Sequence, residues 1–217
     1  MRINVGCGMT PTPGWINLDN SPSLTLARWP SAVRVLRRMG LISATQAAFA
    51  EFAQHADIRR ADATKGLPLG DCTVDVLYSS HMLEHLDRTE ARRFLKDALR
   101  VLKPGGVIRL AVPDLGKKIG EYLEHGDADK FLAGTLMCID RPKTLVQRLR
   151  FVVAGPRHHQ WMYDERSLTK LLTDCGFIEA ARQPAGSTTI PDSGELDVAE
   201  RAEESLYVEA RRSSAAG

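Results

Sequence analysis

The sequence has few cysteines, and none sits in a pair that metal or redox chemistry would use. Cys7, Cys72, Cys138 and Cys175 lie far apart in 217 residues, with no CxxC element. That spacing gives neither a zinc site nor a disulfide framework, and it fits a reducing compartment, the cytoplasm. No apolar run is long enough to span a bilayer, and the first residues follow a strand pattern rather than a signal-peptide pattern, so no membrane partner is expected. Charge is nearly balanced, at +2 overall, and gives no reason of its own to expect nucleic acid. No internal repeat occurs. What is present, 43% hydrophobic and 26% charged residues, suits a globular protein with a sizeable core: one domain over 1–217 with an insertion.

The chain is organised around residues 2–19. Ile3, Asn4 and Val5 read as a short buried strand, followed at once by Gly6-Cys7-Gly8. A loop broken by Pro11, Pro13 and Gly14 leads to a second strand, Trp15 to Leu18, ending on Asp19. Strand, glycine turn, strand, acid is how an open parallel sheet holds the nucleoside end of a cofactor: glycines admit the ligand to the backbone, and the carboxylate accepts from ribose hydroxyls.

The segments that follow alternate. Helices are expected over Ser31–Gly40, with Val33, Leu36 and Met39 on one face, and over Ala44–Ala56, capped by Ser43 and packing Phe49 and Phe52. Ile58–Asp62 reads as a third strand and Val74–Ser79 as a fourth, with Ser80-His81 leaving its carboxyl end. Met82–Leu86 begins a helix, Arg88–Leu102 is strongly helical, and Lys103-Pro104-Gly105-Gly106 stops it before a fifth strand, Val107–Val112, with Pro113-Asp114 just past its end. Leu115–Pro156 interrupts the alternation with helical segments at Ile119–His125, Ala128–Cys138 and Lys143–Ala154, an insertion of about 115–156 expected to cap the ligand edge. Asp164 caps a late helix, Glu165–Cys175, ended by Gly176. Strands at Phe177–Arg182 and Leu206–Ala210 flank a polar linker, Gln183–Glu204. The expected fold is α/β: a Rossmann-like, doubly wound, seven-stranded, mostly parallel sheet with a helical cap insertion.

In this order the motifs resemble the class I S-adenosylmethionine-dependent methyltransferases: VGCG at 5–8, LPLGDCTVDVLYSSHMLEHL at 67–86 and LRVLKPGGVIRLAVPDL at 99–115. HHQWMYDERSLTKLLTDCGF, at 158–177, resembles the late helix of a subfamily associated with glycan synthesis. The sequence departs from that pattern at Asn4, where an acid is usual, at Met9-Thr10, where a third glycine is missing, and in the short step from Gly8 to Asp19, too close for a full helix. The methionine end of the cofactor is therefore expected to rest on a loop.

The resemblance implies S-adenosylmethionine as methyl donor. Gly6, Cys7 and Gly8 would meet its methionine portion, Asp19 its ribose, and Asp62 and Ala63 its adenine, while Ser80 and His81 would face the sulfur and methyl. It also implies an O-methyltransferase of polysaccharide biosynthesis acting on a sugar or oligosaccharide hydroxyl, such as the 1-hydroxyl of a methylmannoside. Such a hydroxyl must lose its proton, and neutral histidine suits that at pH 7. His159 is the first candidate, His81 the second, and Asp114 a third that could orient the acceptor or bind a metal. Mg is compatible with this chemistry, but no ligand motif asks for it. His158, Trp161 and Tyr163 could contact the acceptor, the two aromatics by stacking on a sugar ring. His85, in the expected helix, reads as structural. A cofactor-binding protein without turnover, or a methyltransferase for another small molecule, is the alternative. The insertion's basic residues are interleaved with Glu121, Glu124, Asp127 and Asp129, so no basic stripe favours nucleic acid. The oligomeric state is not legible.

Overall fold

The structure, a computed structural model, describes residues 1–138 and 158–214. Seven strands form one sheet in the order β3-β2-β1-β4-β5-β7-β6. They are β1 (Arg2–Val5), β2 (Ile16–Asp19), β3 (Arg59–Arg60), β4 (Val74–Ser80), β5 (Leu102–Pro113), β6 (Phe177–Gln183) and β7 (Ser205–Arg212). The first five pair in parallel, and β7 inserts antiparallel between β5 and β6. This is the expected mostly parallel, Rossmann-like sheet. The strand order reverses direction between β1 and β4, so the crevice beyond their carboxyl ends is where such sheets take ligands.

Helices α1 (Pro22–Leu26), α2 (Pro30–Arg38) and α3 (Ala44–Phe52) fill the connection from β2 to β3. Ser43 starts α3 through a capping box with Gln46. Val33, Ile42, Ala47 and Ala50 form a small core of their own there. Met39, expected on the apolar face of α2, is exposed: the helix packs through Val33 and, partly, Leu36, and ends before Met39. The third strand is shorter than expected and ends two residues before Asp62.

The main core lies on one face of the sheet. Helix α4 (Arg88–Val101), begun by an Asp87–Glu90 capping box, buries Ala91, Phe94, Leu95, Ala98 and Val101 against it. The late helix α7 (Glu165–Asp174), capped by Asp164, adds Leu168, Leu171 and Leu172. Burying each such Leu or Phe is worth about 1.5–3 kcal/mol. The KPGG stretch ends α4 as expected but already belongs to β5, which starts at Leu102. The expected linker between β6 and β7 is an ordered cover for the opposite face: Ile190 and Leu196 bury against Trp15, Val76, Tyr78 and Val107. Buried Arg109 of β5 ties that cover down, pairing with Glu209 at 2.6 Å and donating to the carbonyls of Ser187 and Val198.

After β5 come α5 (Leu115–His125), capped by Asp114, and α6 (Ala128–Thr135), capped by Asp127. The expected helix at Lys143–Ala154 lies outside the described residues. Among the described residues no helix is long and apolar enough to cross a membrane.

Candidate active site

The β1–β2 connection has no helix, as the short step to Asp19 requires. Hydrogen bonds from two asparagines shape the loop instead. Asn4 donates to the Thr10 carbonyl and Thr12 hydroxyl, and Asn17 bonds the Thr12 backbone on both sides. Asn4 thus has a scaffolding job at the position where the resembled pattern carries an acid. Gly6 takes φ +75, and a Cβ there would lie 2.6–2.7 Å from the Met82 side chain, so no other residue fits without displacing Met82. Gly8, at φ +52, faces open space. Its amide donates to the Asp19 carboxylate at 2.9 Å, and Ser21 N donates to the other oxygen at 2.7 Å. Burial, with the Asp19 charge adding to it, pushes the Cys7 thiol up to about 12. Cys7 therefore contributes backbone and bulk, not a thiolate.

Asp62 folds into a local turn, accepting from the Thr64 amide and hydroxyl at 3.1 and 2.7 Å. Burial pushes its carboxyl up, but the Thr64 bonds and Lys65 outweigh that and hold it below the usual value. Ala63 belongs to the core, and Ala61 N donates to the Asp19 carbonyl, joining the ends of β2 and β3. The expected cofactor contacts thus line up along the carboxyl edge of β3, β2, β1 and β4. The structure has features that fit such a ligand: the open face at Gly8, the carboxylates of Asp19 and Asp62, and the Ser80 hydroxyl, buried without a partner.

The expected catalytic residues are only partly brought together. His81, just past β4, has φ +48, unusual for a residue with a side chain. Its Nε2 lies 2.8 Å from Ser205 Oγ, and its Nδ1 lies 3.3 Å from Glu84 Oε1. His159 Nε2 approaches the same Glu84 oxygen at 3.9 Å. Burial holds the His159 ring below its ordinary value, the Glu84 charge only partly opposing it. Asp114 stands apart, capping α5 and pairing with Arg182 at 3.2 Å. Tyr163 is 0% exposed within the main core, which corrects the expectation that its ring stacks on an acceptor. Trp161 is 40% exposed, with the Arg88 guanidinium 4.7 Å over its ring. His158 offers its carbonyl to His85 Nδ1.

Sequence reasoning missed Glu84 and Ser205. Glu84 is 0% exposed, and neither carboxylate oxygen has a hydrogen-bond partner. The available signal was an acid three residues from His81, set between Leu83 and His85 in Met82–Leu86. The segment forms a 3₁₀ turn, Leu83–His85, rather than the expected helix. His81 itself precedes the turn in the left-handed region, and its Nδ1 nonetheless comes to 3.3 Å from Glu84 Oε1.

Among known proteins, the profile of a family described as a methyltransferase domain matches residues 39–110, about a third of the chain. No curated protein resembles the sequence closely enough to count as a match. A SAM-dependent methyltransferase structure from Methanosarcina mazei shares the fold with a TM-score of 0.52 at 17% identity, over 98% of this chain and 92% of that one. A chain from the complex of the Haloferax volcanii Trm112 methyltransferase activator with a protein assigned as a methyltransferase gives 0.51 at 16% identity, over 100% and 83%. The domain match and the shared fold together support an S-adenosylmethionine-dependent methyltransferase.

Proposed function

We propose that this methyltransferase moves the donor's methyl group to a hydroxyl of a sugar or oligosaccharide in polysaccharide biosynthesis, in the cytoplasm. The observation that carries the reading is the Glu84–His81–Ser205 arrangement at the carboxyl end of β4. Bound S-adenosylmethionine would supply an electrophilic methyl on a sulfonium, and Gly6–Gly8, Asp19, Asp62, Ala63 and Ser80 are the residues proposed to hold it. The acceptor hydroxyl needs a nearby group to take its proton. With Glu84 on the Nδ1 side, the favoured tautomer of His81 carries its proton on Nδ1 and leaves Nε2 free to accept. Ser205 Oγ now faces Nε2 at 2.8 Å, so in this reading the Ser205 side chain turns aside for an acceptor hydroxyl to meet that lone pair. Backbone strain of this kind, about 1–3 kcal/mol for a non-glycine left-handed residue, gathers at functional sites, which also favours His81 over His159 as the base. Asp114 positions α5 in this reading.

The sugar rests on the resemblance of residues 158–177 and on Trp161, whose exposed ring adjoins the histidine segment. The insertion at 115–156, of which α5 and α6 are described, is proposed as the acceptor's cover. The test is His81→Ala and His81→Asn, assayed with sugar acceptors. Turnover should fall by roughly 10²- to 10⁴-fold with affinity for the cofactor product within a few-fold of wild type. A variant that keeps most of its turnover at saturating acceptor would remove His81 as the base and turn attention to His159.

A further inference from the structure

We propose that Glu84, His85 and His159 form a binding site for one divalent transition-metal ion of the zinc type. One ligand atom from each of the three lies within 4.8 Å of the others. Two imidazoles and a carboxylate are the donor set that takes zinc or cobalt with a coordination position left open.

Three observations carry this. The first is charge. The Glu84 side chain is sealed from solvent, and both oxygens lack a hydrogen-bond partner. A carboxylate buried that way costs several kcal/mol unless a cation faces it. No lysine or arginine pairs with Glu84 among the described residues; the groups close to its carboxylate are His81 and His159. The second is ligand orientation. His85 Nδ1 lies 3.0 Å from the His158 carbonyl. Donating there fixes the tautomer and leaves Nε2 with its lone pair, the outer-shell arrangement that metal-ligating histidines use. The His85 and His159 rings sit edge to face with centroids 5.1 Å apart.

The third is preorganisation. The ligands come from two segments stitched together by their backbones. The Glu84 carbonyl accepts from Gln160 N and Trp161 N at 2.7 and 3.2 Å. The Gln160 side chain returns a bond to the His85 carbonyl at 2.9 Å, and His159 N bonds the Leu136 carbonyl at 3.0 Å. A tetrahedral ion with ligand bonds of about 2.1 Å holds its donor atoms about 3.4 Å apart. The Glu84–His159 separation of 3.9 Å therefore needs only a small side-chain adjustment. In this site His159 is a ligand and His81 remains the proton acceptor, a division of labour that rests on the proposed function. Metal binding itself does not depend on it.

The experiment uses the whole chain, stripped with a chelator and then titrated with Co²⁺ and, separately, Zn²⁺. Expected are visible ligand-field bands with Co²⁺ that saturate at one ion per chain, displacement by Zn²⁺, and one retained zinc per chain after dialysis. His85→Ala and His159→Asn should each weaken the ion by about 100-fold or more, while His125→Ala, at an exposed histidine of α5, should not. Two results overturn the proposal. One is the absence of both bands and stoichiometric zinc in the wild-type protein. The other is binding that survives in both folded ligand variants, which would place the ion elsewhere. Because binding is read without turnover, this result stays separate from the fate of the sugar O-methyltransferase reading.

Discussion

Asp19 is the residue on which the cofactor reading can be tested most cleanly, because the structure gives it two separable jobs. Its carboxylate already braces the glycine loop, accepting from Gly8 N at 2.9 Å and Ser21 N at 2.7 Å. In the proposed site it also accepts from the ribose. A hydrogen bond to a charged group contributes about 1.5–3 kcal/mol. Asp19→Ala should therefore weaken binding of the cofactor product by roughly 10- to 150-fold in calorimetry. Losing the brace should lower the melting temperature of the unliganded protein by about 3–12 °C, at roughly 2–4 °C per kcal/mol for a chain of this length. Asp19→Asn keeps the shape but can accept only one of the two amides, so it should fall between Ala and wild type on both measures. If Asp19→Ala melts lower as described yet binds the product within twofold of wild type, Asp19 is a brace alone and the ribose contact is refuted. If neither quantity moves, the hydrogen bonds themselves are refuted.

Other parts of the structure make further claims. Glu209→Gln leaves buried Arg109 facing a neutral amide and should cost about 3–5 kcal/mol of stability, read by denaturant melts at pH 7. Burial pushes the Glu209 carboxyl up, but bonds from Thr188, Thr189 and Arg109 outweigh that and hold it below its ordinary 4.5. Its contribution is therefore full above pH 4.5 and lost as pH falls through the depressed value. The stability deficit of Glu209→Gln should shrink as pH falls below 4.5, and a deficit that stays constant on acidification would contradict the pairing. Gly6→Ala should lower both melting temperature and affinity for the cofactor product, because its Cβ would lie 2.6–2.7 Å from Met82. Met82→Ala in that background should recover only part of the loss, since the left-handed φ remains strained; full recovery would show that the backbone conformation costs nothing.

Much of the fold was legible because its signals are local. Ser43 and Asp164 read as helix starts by their chemistry, and the alternation of apolar runs placed the sheet's strands to within a few residues. What failed to show was long-range. Gln183–Glu204 reads as a polar linker because its partners, Arg109, Tyr78 and Thr10, are far away in sequence; only the folded chain reveals Glu200 bonded to Tyr78 and Thr10. The candidate site divides the same way. Gly6–Gly8 and Asp19 are candidates from their place at strand ends, and Ser80-His81 from the resemblance. Glu84 offers only its spacing from His81, and its burial appears only in the folded chain. Tyr163 lies between Met162 and Asp164, and the bridge from Asp114 to Tyr163 draws it into the core.

The most direct measurement of the central claim is methyl transfer itself. The protein is incubated with isotope-labelled S-adenosylmethionine and a panel of mannosides, other sugars, nucleic acid and protein, and products are identified by mass. The proposed function predicts label on a sugar hydroxyl, with S-adenosylhomocysteine formed in equal amount and both lost in His81→Ala. Label on nitrogen, on nucleic acid or on protein would contradict the sugar O-methyltransferase assignment. Tight cofactor binding with no S-adenosylhomocysteine formed from any acceptor in the panel would contradict catalysis at the Glu84–His81 site.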